Sequence, residues 1–165
     1  MTHPRWARRV ATGALLSGLL GAVLIATASR SATAGAPEKV QALVERAAAY
    51  IQAVGRDQGF ADITRPDGGF TDGDLYVFCN SADGVSLAHG GNPKLVGKHL
   101  ADLRDPEGTP TTMGIVHVGL TQGRGWFEYL WPNPQAGRIQ RKVTFVLRID
   151  DQTVCASGYF KPDPP

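Results

Sequence analysis

The hydrophobic period changes once along this chain, and that change limits the folds open to it. Val40, Leu43, Val44, Ala47, Ile51 and Val54 recur at the 3.6-residue spacing of a helix, with Lys39, Gln41, Glu45 and Gln52 off the stripe. Pro37 suits a first helical turn, and Glu38 beside it suits the positive end of the helix dipole. This predicts an amphipathic helix of about four turns. Gly55 and Gly59 loosen its end, and Pro66-Asp67-Gly68-Gly69 forms a turn. From Leu75 onward the period is that of strands. Leu75 to Asn80, Val85 to His89, Gly125 to Trp131, Arg138 to Ile149 and Thr153 to Phe160 read as five strands joined mostly as hairpins. Thr111 to Leu120 fits helix or strand, and propensity does not separate them. Such a chain is α+β, with a long N-terminal helix packed on a largely antiparallel five-stranded sheet.

Ahead of this body the first 36 residues have three parts. Arg5, Arg8 and Arg9 precede an uncharged stretch from Val10 to Ser29, and Ala32-Thr33-Ala34 and Ala34-Gly35-Ala36 both fit a cleavage pattern. Residues 1–36 therefore read as a secretory signal peptide, with an uncleaved membrane anchor as the alternative. Residues 37–165 read as a single domain. Export places that domain in the periplasm or outside the cell, where cysteines tend to be bonded. Cys79 and Cys155 are the only two cysteines, each in an apolar run. A disulfide and two buried thiols are both open on this basis.

Charge removes one class of function. The formal net charge of +2 owes its sign to Arg5, Arg8, Arg9 and Arg30, so the body without them is acidic overall. It has no basic block to follow a phosphate backbone, and nucleic acid is not an expected partner. His89, His99 and His117 lack the spacing of a zinc site, and Asp67, Asp72 and Asp74 lack that of a calcium loop. No metal or other cofactor is expected. The chain has no nucleophile elbow, zincin motif, P-loop or dinucleotide fingerprint, so it is not expected to be an enzyme.

Binding chemistry is better represented. Along Arg141 to Ile149, Val143, Phe145, Leu147 and Ile149 share the face that suits the helix, and Lys142, Thr144, Val146 and Arg148 share the other. On that mixed face Lys142 and Thr144 can hold a carboxylate. Trp126 and Tyr129 offer an apolar wall and a hydroxyl, although strict alternation puts them on opposite faces unless a bulge intervenes. His89, ending its strand, can bond a ligand oxygen.

The order of these pieces resembles a single Cache domain, an extracytoplasmic PAS-like sensor module. The matching stretches are GDLYVFCNSADGVSLAHG (Gly73 to Gly90), NPKLVGKHLADLRDPEGTP (Asn92 to Pro110), GRGWFEYLWPNP (Gly123 to Pro134) and RKVTFVLRIDDQTVCASGYF (Arg141 to Phe160). With the helix they cover nearly all of the body. The resemblance implies a helix around Thr111 to Leu120. It also implies adjacent first and last strands, which would bring Cys79 and Cys155 into bonding range, and a ligand pocket on the face away from the long helix. The family usually has proline where Gly90 follows His89. Most members belong to transmembrane receptors carrying a kinase or chemotaxis module, whereas this sequence stops at Pro165. The function expected is non-catalytic binding of a small organic anion such as a short carboxylate by Lys142, Tyr129, Trp126, His89 and Thr144. The alternatives are an accessory protein that docks onto a membrane sensor kinase without a ligand, and a small secreted hydrolase using Glu128 or an aspartate pair.

Overall fold

The computed structural model describes residues 35–162. The expected leader lies, up to residue 34, outside the described residues. Helix α1 runs Ala36–Val54, with Pro37 in its first turn, and buries Val40, Leu43, Val44, Ala47, Ala48 and Ile51. It is a turn longer than the apolar stripe because the flanking Ala36, Pro37 and Glu38 suit a helix start. Gly55, at φ 88°, ends it. A second helix, α2 (Arg56–Thr64), follows at once where a loosened end was expected. Its buried residues are too few to give a stripe, and Gly59 is what lets it lie on α1. A Cβ there would come within 2.8 Å of the Ile51 side chain. The Tyr50 hydroxyl donates to Asp62 at 2.7 Å and ties the two helices together.

The strands are β1 (Thr71–Asp72), β2 (Leu75–Tyr76), β3 (Phe78–Ser81), β4 (Ser86–His89), β5 (Arg124–Asn133), β6 (Arg138–Asp150) and β7 (Thr153–Phe160). The strand expected from Leu75 to Asn80 is thus split. Val77 leaves the ladder, its N–H donating to Phe70 O and its carbonyl accepting from Gly90 N–H. β1 and β2 form a small antiparallel pair. The main sheet has the order β4-β3-β7-β6-β5 and is antiparallel throughout. Its last strand therefore lies at the centre, beside the first. Cys79 is the register partner of Cys155, and the two form a disulfide with Cα atoms 4.0 Å apart.

The two sheet faces carry separate cores. On one, α1 covers a cluster that includes Phe145, Cys79 and Cys155. On the other lies α3 (Thr111–Gln122), a helix as the resemblance implied and against the β-propensity of its Thr, Ile and Val. Tertiary contact decides here: Ile115, Val116 and Val118 join Val146, Val154 and Ala156 in a second cluster. Gly119 permits this approach, since a Cβ there would lie 2.4 Å from Val154 Cγ1. Between β4 and α3 the chain from Gly90 to Pro110 has one short 3-10 turn, Pro93–Leu95, and two isolated bridges.

Candidate functional site

The face of the sheet away from α1 gathers polar side chains that its alternation brings together. Tyr76 comes from β2, Phe78 and Asn80 from β3, His89 from β4, Tyr129 and Trp131 from β5, and Thr111, Thr112 and Ile115 from α3. They enclose a cavity with about 20 Å³ of free space, enough for one water and far less than a drug-sized ligand takes. Leu95 and Leu100 of the loop complete the lining.

Behind the Tyr76 ring lies Lys142. The residue is 0% exposed, and its Nζ has no hydrogen-bond partner among the described residues. Aromatic faces surround it instead. Nζ is 3.7 Å from the Tyr76 ring centroid, 5.1 Å from that of Phe160 and 5.6 Å from that of Phe78. Gly158 on β7 leaves the room, since a Cβ there would stand 3.0 Å from Lys142 Cε and 2.4 Å from Thr144 Oγ1. Cation–π contact offsets only part of what an ammonium loses on leaving water. Burial accordingly lowers the Lys142 pKa to about 7, with the Asp74 carboxylate acting in the opposite direction.

The neighbours of Lys142 are held neutral. Burial, helped by the charge of Lys142 and opposed by a backbone hydrogen bond, lowers His89 to about 4. His89 Nδ1 accepts the Asn92 N–H at 2.9 Å, so Nε2 carries the ring proton. Burial pushes Tyr76 up to about 12, against a hydrogen bond from Trp131. Tyr129 is raised by burial and then by Tyr76, against a hydrogen bond with Thr144. The Thr144 hydroxyl is fully buried and its contact there is not a well-formed hydrogen bond.

Of the residues expected to bind, the fold brings Lys142, Tyr129, His89 and Thr144 to this face. Tyr129 is the direct cross-strand partner of Lys142. Trp126 is a correction. The β5–β6 register runs without a bulge, so Trp126 pairs with Phe145 on the α1 side, its ring 5.2 Å away. It is 41% exposed. The apolar wall is Trp131, whose ring meets Tyr129 at 5.7 Å. Tyr76, Phe78 and Asn80 were not expected here, although alternation within DLYVFCN places all three on one face.

The loop over the cavity is fastened by Asp105. Its carboxylate accepts the N–H groups of Glu107, Thr109 and Leu130 at 3.0, 2.8 and 2.9 Å. These bonds, that from Leu130 foremost, lower its pKa. Outside the loop an open apolar groove of about 590 Å³ shares Leu95, Leu100, Thr111 and Trp131 with the cavity. The loop is thus the partition between cavity and solvent. Asp105→Ala should speed hydrogen exchange at the Leu130, Thr109 and Glu107 amides while leaving the β6–β7 amides protected. Unchanged exchange at Leu130 would show that the loop is held by other means.

Comparison with known proteins bears on this arrangement. The family model for single Cache domain 2 matches residues 38–154. A methyl-accepting chemotaxis protein of Pseudomonas putida, McpP, is 31% identical over 75 residues, 46% of this chain and 14% of that protein. The sensor histidine kinase MctS of Rhizobium johnstonii is 29% identical over 91 residues, 54% of this chain and 20% of the kinase. This chain therefore spans a small part of the length of both. Among solved structures, a periplasmic sensor domain of a chemotaxis protein is 27% identical with a TM-score of 0.64, covering 75% of this chain and 94% of that one. A Cache chemosensory domain solved for carboxylic acid recognition is 24% identical, also at 0.64, covering 76% and 92%. A chemotaxis protein of Vibrio parahaemolyticus is 17% identical at 0.66, covering 75% and 87%.

Proposed function

The chain belongs to the single Cache domain 2 family, and from that premise we propose that it is an extracytoplasmic sensor domain for a small organic anion, a short carboxylate held by Lys142. Cache domains are non-catalytic signalling modules that work outside the cytoplasm, and no helix among the described residues is long and apolar enough to cross a membrane. The observation that carries the proposal is Lys142 itself. An ammonium buried without an acceptor costs several kcal/mol, and a carboxylate beside it would supply both countercharge and hydrogen bonds. Tyr129 and Thr144 offer hydroxyls to the same anion, and His89 offers its Nε2–H. Trp131, Phe78 and Ile115 suit a short apolar tail. The bound state would be read by a membrane sensor protein.

Entry requires the side chains around Tyr76 or the loop over Leu95 and Leu100 to move, because the free space is about that of one water. That tightness favours a second reading, in which the domain docks onto a membrane sensor kinase without a ligand. One experiment separates the two. Thermal unfolding is followed with two- to four-carbon monocarboxylates and with the amides of the same acids. Binding at 100 times the dissociation constant should add about 2.7 kcal/mol for the acids and nothing for the amides. Equal effects, or none at millimolar concentration, would remove the anion reading.

A further inference from the structure

The groups that face Lys142 leave its charge almost uncompensated. From β2 and the turn before it come the Tyr76 ring and the distant Asp74 carboxylate; from β3 comes Phe78. β4 contributes His89, which is neutral, and β5 contributes Tyr129, which keeps its proton. β7 contributes Gly158 and Phe160, and β6 itself contributes Thr144. Beside the weak cation–π attraction of these rings, the Asp74 carboxylate favours the ammonium, and it does not touch Nζ. A lysine so placed gives up its proton far more readily than an exposed one, and an anion brought close restores its charge.

We infer that the site senses protons together with its anion: above neutral pH Lys142 stands uncharged in the unliganded domain, and it takes one proton from solvent when a carboxylate settles against it. The inference rests on the anion-binding reading above. Its balance is simple. The acid dissolves as its carboxylate, a proton from solvent adds to the Lys142 amine, and an ammonium–carboxylate pair results with no net charge. Short carboxylic acids are ionised throughout pH 6–9, so the pH dependence in that range comes from the protein. His89 titrates below that range and the tyrosines above it. Signal strength would then depend on acidity as well as on ligand concentration.

The test is calorimetric titration of the full chain with propionate. In two buffers at pH 8, the apparent heats should differ by about 0.9 times the difference in buffer ionisation enthalpy, the mark of about 0.9 proton taken up per ligand. The dissociation constant should rise roughly 100-fold between pH 6 and pH 9. The Lys142 ¹³Cε resonance of the unliganded chain should titrate near pH 7. Lys142→Arg, which cannot lose its proton, should bind with an affinity flat across that range. If that variant does not fold, the wild-type heats and resonance still decide. Binding at pH 6 with buffer-independent heats at pH 8, or a Lys142 resonance titrating above pH 10, overturns the coupling and leaves the anion reading intact. Absence of heat at every pH overturns the anion reading, and the coupling with it.

Discussion

Lys142→Met should make the unliganded domain more stable, by about 2–4 kcal/mol near pH 7, while abolishing stabilisation by carboxylates. Methionine has nearly the length of lysine, adapts to irregular space, and its sulfur packs well against the rings of Tyr76, Phe78 and Phe160. It removes the ammonium, the group that burial penalises. The wild-type pH dependence follows from the same cause. The folded value of about 7 lies below the 10.5 of an unhindered lysine, so in that interval the unfolded chain binds more protons. Stability from this group therefore rises with pH above about 7 and is flat below it. The full gain is on the order of 4–5 kcal/mol, of which about 3 should appear by pH 9.5. The window also avoids His89, whose burial matters only between about 4 and 6.5. Urea unfolding at pH 7 and 9.5 checks both statements: the wild type gains stability over this interval and the variant lacks that gain. A variant less stable than wild type at pH 7 would mean that Lys142 has partners beyond the rings. The expected pattern is that of a binding residue retained at a cost to the fold.

The same residue shows how far the sequence could be read. Lys142 and Thr144 fall on one face because strand alternation in RKVTFVLRID is regular, and the long β5–β6 ladder keeps that register without a bulge. Helix α1 was legible because its stripe runs unbroken from Val40 to Val54. Helix α2 was not: it is short, and its packing depends on Gly59, a residue that ordinarily argues against a helix. The split at Val77 was invisible because Leu75 to Asn80 is uniformly rich in strand formers, and the break is set by hydrogen bonds to Phe70 and Gly90. The aromatic wall was misassigned at Trp126 although alternation already opposed it. Counting by twos from Tyr129 reaches Trp131, and counting by twos from Tyr76 reaches Phe78 and Asn80. No local pattern reveals that β2, β3 and β6 converge on one ammonium. That follows from a strand order which puts β7 between β3 and β6, of which the resemblance to a family carried only the adjacency of the first and last strands.

One covalent link joins β3 to β7 beside their hydrogen-bonded ladder, and cutting it should have a large effect on stability. Cys79 and Cys155 lie 76 residues apart in sequence and face each other across β3 and β7. Closing a loop of that length removes unfolded-state entropy worth about 4–5 kcal/mol in the chain-entropy model. Cys79→Ala with Cys155→Ala should therefore lower the melting temperature by roughly 15 °C. Alanine is the informative replacement, since both positions are 0% exposed and serine would add two buried hydroxyls. The loss should be felt unevenly. Among the described residues β3 pairs only with β4 and β7, so the bond anchors the hairpin that carries Phe78, Asn80 and His89 into the cavity wall. The β5–β6 ladder does not depend on it. Hydrogen exchange in the double variant should thus accelerate first at the β3 and β4 amides, and the carboxylate-induced thermal shift should shrink more than global stability alone requires. A melting temperature within a few degrees of wild type would show that the sheet centre holds without its bridge. Uniform acceleration across all five strands would show that the hairpin is no weaker than the rest.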